Sequence, residues 1–260
     1  MAGFKRFFMR FNLQGHFPAT AEVFERLLPY SKEELAPELD DFERIQNTRA
    51  ECLKQKYEKE IEILRGKKVL FLGDSITSDN LGYRGSVTRA AELQAYDESI
   101  SGGTSPMLLH IAKRKLETLK PDIVSIMLGS NDSVGIENES LNQVSLGEYT
   151  RNIEQMVLWA KRNGTEVLLF EMPLVHEKRF QRNFEAEGKL QSNENIVRYN
   201  NALKKIANNL DIKLIQNSWL GDCADMDSLF EIDGIHLSLL GHERCAEEWM
   251  QAAAKLFSEN

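Results

Sequence analysis

Lys67-Lys68-Val69-Leu70-Phe71-Leu72-Gly73-Asp74-Ser75-Ile76-Thr77 is where the character of the chain changes. Upstream, apolar residues are spaced by threes, fours and sevens. Here four consecutive apolar side chains, Val69 to Leu72, run into a glycine. A run that short and unbroken suits a strand covered on both faces. Similar runs recur: Ile123 to Leu128 ends in Gly129, Val167 to Phe170 ends near Met172-Pro173, and Ile212 to Ile215 ends in a polar loop. A weaker candidate lies around Tyr96 to Ile100. Helical spacing fills the gaps, at about 84–95, 105–118, 146–163, 195–209 and 239–257. Strands alternating with helices predict βαβ units, hence an α/β fold with a parallel sheet and helices on both faces.

Working back from Lys67, residues 20–65 read as helical throughout. Ser31-Lys32-Glu33-Glu34 has the capping-box form, and Pro37 suits the first turns that follow. Phe42, Ile45, Cys52, Leu53, Tyr57, Ile61 and Leu64 then form an apolar face, and Gly66 supplies a C-terminal stop. Further back, Phe4, Phe7, Phe8 and Phe11 fall at helical spacing with Lys5, Arg6 and Arg10 between them. Such a stretch can lie on a membrane surface, or pack on the body of the protein or on a second subunit. Its shortness and the acidic balance of the chain favour packing, which leaves a homo-oligomer through the N-terminal helices open. The expected organisation is a helical N-terminal extension over residues 1–66 and one α/β domain over residues 67–260.

Charge and composition narrow the function classes. The 260 residues carry 32 Lys and Arg against 40 Asp and Glu, a net charge of −8, with a pI near 5.3. That excludes a general nucleic-acid partner, which needs a net basic face. A hydrophobic fraction of 42% at this length supports a sizeable core without disulfide staples. Cys52, Cys223 and Cys245 are odd in number and widely spaced, which argues against a disulfide framework and against a thiolate zinc site. Unpaired cysteines fit a reducing compartment. The basic first residues lack the apolar stretch and small-residue cleavage site of a signal peptide, so the expected location is cytoplasmic. No apolar run approaches the ~20 residues that span a bilayer, so no stable membrane insertion is expected.

In an open α/β sheet, ligands bind beyond the carboxyl ends of the strands. Those ends read Gly73-Asp74-Ser75, Ser101-Gly102-Gly103-Thr104 and Gly129-Ser130-Asn131-Asp132, and late in the chain comes Asp233-Gly234-Ile235-His236. Together they bring a hydroxyl, a glycine backbone, a carboxamide, a carboxylate and an imidazole to one edge. Acyl transfer needs that set. A serine hydroxyl needs an adjacent base, the base needs a third group to fix its tautomer, and the tetrahedral intermediate needs donors aimed at its oxygen. Ser75 would attack, His236 would take its proton and Asp233 would hold the other ring nitrogen. The N–H groups of Ser75 and Gly102 and the Asn131 side-chain amide would form the oxyanion hole. Each residue also has a plainer reading. Ser75 can cap a helix, Gly102, Gly103 and Asn131 can serve a turn, and Asp132 can support its loop.

These four blocks resemble the SGNH hydrolases, also called GDSL esterases and lipases, in order and in spacing from the strands. The resemblance covers about residues 67–257 and implies a flavodoxin-like three-layer α/β/α sandwich with a central parallel sheet. It carries the nucleophile role to Ser75, oxyanion roles to Gly102 and Asn131, and the remaining triad roles to Asp233 and His236. The implied activity is a serine esterase or acylhydrolase with a small-molecule ester substrate, such as an acetylated sugar, a lysophospholipid or a thioester. An acyltransferase using the same acyl-enzyme, or a scaffold acting through the N-terminal helices, are the alternatives. The α/β-hydrolase fold is disfavoured because no Gly-x-Ser-x-Gly elbow occurs and Asp233 and His236 stand close in sequence. The chain departs from the resemblance where Asp79 replaces a glycine four residues after the nucleophile, where Gly82 follows three residues later, and where Leu237 replaces a proline.

Two further segments overhang the same edge. The Asp79 loop and residues 174–195, with His176, Arg179, Phe180 and Arg182, are candidate substrate loops or lids. His242 reads as structural. His16, His110 and His176 have no partner at ligand spacing, so no metal is expected. Neither a dinucleotide glycine fingerprint nor a phosphate-binding loop occurs, so no organic cofactor is implied.

Overall fold

In the computed structural model, which describes residues 2–11, 17–136, 141–217 and 225–258, with side chains from Lys5 onward, Val69 to Leu72 form an inner strand. The side chain of Phe4, with His16 and Cys223, lies outside the described residues. The strands are β1 (Lys68–Gly73), β2 (Gln94–Asp97), β3 (Ile123–Met127), β4 (Gly135–Ile136), β5 (Glu166–Phe170), β6 (Lys189–Leu190) and β7 (Lys213–Ile215). Five of them make a fully parallel sheet in the order β2-β1-β3-β5-β7. Counted along the chain this is the 2-1-3-4-5 order of flavodoxin-like folds, whose direction of winding reverses between β1 and β3. A ligand crevice belongs at that reversal.

The helices are α1 (Ala2–Phe11), α2 (Ala21–Leu27), α3 (Lys32–Lys56), α4 (Glu58–Leu64), α5 (Ser75–Ser78), α6 (Tyr83–Ala90), α7 (Ser105–Leu119), α8 (Leu146–Arg162), α9 (Glu177–Phe184), α10 (Asn193–Leu210) and α11 (Leu239–Ser258). Period-two alternation along β1 feeds both outer layers. Leu70 and Leu72 pack with α7, α8 and α10. Val69 and Phe71 pack with α4, α6 and α11. The three-layer sandwich expected from the resemblance is the observed fold.

The helices before Lys67 are built into this sandwich. Ala50, Leu53, Tyr57, Ile61 and Leu64 share one buried cluster with Val69, Phe71, Tyr83 and Trp249. A second cluster joins Met9 of α1, Phe24, Leu35 and Phe42 to Leu81 of the body. The helical stretch 20–65 is three helices, broken around residues 28–31 and at Tyr57. The capping box holds: Ser31 Oγ accepts from Glu34 N, and the Glu34 carboxylate accepts from Ser31 N. Two expected boundaries move. The weak strand lies at Gln94–Asp97, two residues earlier than read, because an edge strand with alternate exposure lacks an unbroken apolar run. Helix α6 stops at Ala90 rather than near 95, since Glu92 turns left-handed at φ 51°. No helix among the described residues is long and apolar enough to cross a membrane.

Candidate active site

Strand β1 delivers Ser75 to the sheet edge. The capping reading of Ser75 falls to its neighbour: Asp74 is the N-cap of α5 and accepts from Ile76 N at 3.0 Å. That leaves the Ser75 hydroxyl free to point elsewhere. Its Oγ lies 2.8 Å from Nε2 of His236, and His236 Nδ1 lies 2.5 Å from Oδ2 of Asp233. Asp233 Oδ1 accepts from the N–H groups of Ile235 and His236, both at 3.1 Å. Burial pushes the Asp233 carboxyl up, but the bonds from His236 and from these two N–H groups outweigh it and hold the group below the ordinary carboxylate value. An ionised Asp233 accepts the hydrogen bond of Nδ1–H and so keeps the proton on Nδ1, which leaves the Nε2 lone pair facing the Ser75 hydroxyl. Ser75 is 7% exposed and Asp233 6%.

The loops after β2 and β3 flank this line at the β1–β3 reversal. Gly102 has φ +73°, and a Cβ there would meet open space. The constraint is therefore the left-handed backbone, which turns the peptide at the cost that only glycine avoids. Asn131 Nδ2 donates to Gly103 O at 3.0 Å, which joins the two loops and leaves the second N–H of that amide available. Asp132 is fully buried, and its two oxygens accept from Ser105 N at 2.9 and 3.1 Å. It fastens the end of β3 to the start of α7. Burial raises the carboxyls of Asp74 and Asp132 to about 6 each, and the charge of Asp132 adds to the rise at Asp74.

Asp79, His176 and Arg179 face protein rather than an open substrate loop. Asp79 is 0% exposed. Its carboxylate accepts from Arg10 Nε at 3.2 Å, Arg10 Nη2 at 2.7 Å, Leu81 N at 2.8 Å and His242 Nε2 at 2.9 Å. Burial alone would raise Asp79, yet Arg10 and His242 drive it far below the ordinary range. His242 accepts from Tyr83 N through Nδ1, so it is neutral with its proton on Nε2, in keeping with a value lowered by burial. His176 caps α9, accepts from Arg179 N, and bonds Asp227 at 2.6 Å through Nε2. Arg179 Nη1 donates to the carbonyls of Asp227, Phe230 and Glu231. These residues buttress the loop that carries Asp233 and His236. Gly234, at φ +80°, lets that loop lie against α9: a Cβ would stand 2.7 Å from His176 O and from Phe180 N.

Helix α1 also reaches the site. The Phe11 ring stacks on the His236 imidazole at 4.0 Å between centroids and 24° between planes. Phe7 meets the same imidazole edge-on at 5.8 Å. The N-terminal periodicity identified a helix that packs on something; helical spacing carries no information about which partner a face meets, so this contact was not legible.

The GDSL-like lipase/acylhydrolase family matches residues 71–244. No curated protein matches the sequence. Among solved structures, a lipase/acylhydrolase from Enterococcus faecalis is similar with a TM-score of 0.61 at 17% identity, over 74% of this chain and 98% of that one. TesA is similar with a TM-score of 0.56 at 23% identity, over 72% and 98%. A catalytic mutant of an acetylxylan esterase from Geobacillus stearothermophilus has a TM-score of 0.56 at 22% identity, over 72% and 94%. At these identities the likeness speaks to the fold, whereas the family match spans most of the sandwich and all four sequence blocks, from Gly73-Asp74-Ser75 to Asp233-Gly234-Ile235-His236, lie within it. The chain belongs to the GDSL-like lipase/acylhydrolase family, hydrolases that act on ester bonds.

Proposed function

We propose that the chain cleaves a carboxylic ester through a covalent acyl-enzyme on Ser75. The observation that carries this is the continuous line from Ser75 Oγ to His236 Nε2 and from His236 Nδ1 to Asp233, at 2.8 and 2.5 Å. His236 takes the hydroxyl proton as Oγ bonds the ester carbonyl carbon. The oxygen of the tetrahedral intermediate is met by the N–H groups of Ser75 and Gly102 and by the Asn131 amide. Collapse expels the alcohol, to which His236 returns the proton. Water then enters by the same route and releases the acid. Acid–base help of this kind is worth roughly 10²–10⁴-fold.

Support also comes from the acetylxylan esterase, whose catalytic mutants replace a serine, an aspartate and a histidine. Its aspartate and histidine stand three positions apart, as Asp233 and His236 do here. The substrates in keeping with the family are an acetylated sugar, a lysophospholipid or a thioester. The free thiols of Cys52 and Cys245 favour a cytoplasmic setting.

A fluorophosphonate probe tests the chemistry directly. Wild-type protein takes one label on Ser75, and Ser75→Ala takes none. Equal labelling of both removes Ser75 as the nucleophile. A panel of nitrophenyl esters of rising chain length, with acetylated sugars, then separates the substrate classes.

A further inference from the structure

Helix α1 is fastened at two levels. At its outer end Lys5 donates to Glu34 O at 2.9 Å, and Arg6 pairs with Glu38 at 2.9 Å and Asp41 at 2.8 Å, all on α3. At its inner end Arg10 is 6% exposed and its guanidinium spans two loops. One side holds the Asp79 carboxylate. The other donates to Glu231 and, at 3.1 Å, to Leu237 O. Asn80 completes the seam: its N–H donates to Arg10 O at 3.1 Å and its amide to Met9 O at 2.7 Å.

The two loops that Arg10 joins hold the two reacting groups. Asp79 closes α5, the turn that begins with Ser75, and its N–H donates to Ser75 O at 3.0 Å. Glu231 and Leu237 bracket Asp233 and His236 in sequence. The backbone of that bracket is closed by Glu231 N donating to His236 O at 2.8 Å. Phe11, 2% exposed, lies against the face of the imidazole, and the Arg10 guanidinium lies over the Phe11 ring, 4.7 Å from its centroid. A stacked ring limits rotation of His236 about its own side-chain bonds, adding to the hydrogen bonds at its two ring nitrogens.

We infer that Arg10 and Phe11 are positioning residues of the hydrolase: α1 sets the distance and angle between Ser75 Oγ and His236 Nε2. This rests on the triad reading above. A fraction of an ångström matters here, since a 1 Å misplacement can lower a rate on the order of a hundredfold. The contacts are made to the protein's own reacting groups rather than to substrate, so their loss is read in turnover and not in substrate affinity.

The test uses the full chain with Phe11→Leu, Arg10→Met and Arg10→Lys. A small nitrophenyl acetate gives kcat and KM, fluorophosphonate labelling of Ser75 gives the reactivity of the nucleophile without turnover, and thermal melts confirm folding at the assay temperature. The expected result for Phe11→Leu and Arg10→Met is a fall in kcat and in labelling rate of about tenfold or more, with KM within about twofold of wild type. Arg10→Lys, which keeps the charge and loses the fork, recovers only part of the rate. Phe11→Leu leaves every ion pair in place, so it decides the matter if Arg10→Met fails to fold. A folded Phe11→Leu with wild-type kcat and labelling rate overturns the inference, and so does a loss confined to KM. If wild type itself takes no label on Ser75, the triad reading has failed instead.

Discussion

Asp132 shows how one residue can be structural and still leave a mark on measurable behaviour. Its carboxyl is buried and raised to about 6, so between about pH 4 and 6 the folded protein binds a proton that the unfolded chain has already released. Stability from this group is therefore present at low pH and lost as pH rises through that window. Asp79 and Asp233 act in the opposite sense, since their lowered values make acid destabilising. Asp132→Asn keeps an acceptor for Ser105 N and removes the titration. Urea unfolding at a series of pH values should find the variant gaining on wild type from about pH 4 to 6, with a constant difference above; a difference flat across that range contradicts the raised value. Asn131 carries a sharper expectation. If its amide meets the oxyanion, Asn131→Ala lowers kcat about 10²–10³-fold, equivalent to about 2.7–4 kcal/mol, with little change in KM.

At the scale of elements, the parts that a strand can announce were legible and the parts set by tertiary contact were not. The runs at β1, β3 and β5 stand out because each is buried on both faces over most of its length, which forces an unbroken apolar string, whereas β7 at the sheet edge carries Lys213 and buries only Ile215. Motif spacing then gave Ser75, Asp233 and His236 their expected places along those ends, and the hydrogen-bond line joins all three. The ladder β4–β6 is two residues long on each side, too short for any period to emerge. His176 and Arg179 look like a lid from their position after β5, yet they hold the 227–234 loop: Arg179 Nη1 donates to the carbonyls of Asp227, Phe230 and Glu231, His176 N to Gly234 O, and the His176 ring bonds Asp227. This arrangement makes Gly234 a test of the loop–helix fit. Gly234→Ala meets both a left-handed φ and fixed backbone atoms of α9 at 2.7 Å. Strain of this kind costs about 1–3 kcal/mol before any displacement of the loop. The expected outcome is a lower melting temperature together with a fall in kcat, while Gly164→Ala, equally left-handed but beside open space and far along the chain from Ser75 and His236, loses stability alone.

For the whole molecule, the boundary near Lys67 that the sequence suggests is a change of secondary structure, and the core runs across it. Periodicity separates the helical 20–65 stretch from the strands that follow, but it cannot say that both bury the same surface. Val69 and Phe71 on the sheet are covered by Leu53, Tyr57, Ile61 and Leu64 as well as by α6 and α11. Removing residues 1–66 would therefore uncover one face of β1, and Asp79 and Glu231 would lose the Arg10 guanidinium that pairs with both. Leu64, fully buried at the end of α4, reports on this continuity with a single methyl-bearing side chain. If the N-terminal helices and the sheet form one cooperative unit, Leu64→Ala costs about 2–5 kcal/mol of global stability. Urea transitions followed by far-UV circular dichroism and by tryptophan fluorescence should then shift together, because Trp249 sits in the same cluster. Two separated transitions, with the loss confined to the first, would instead mean that the N-terminal helices unfold as a unit of their own.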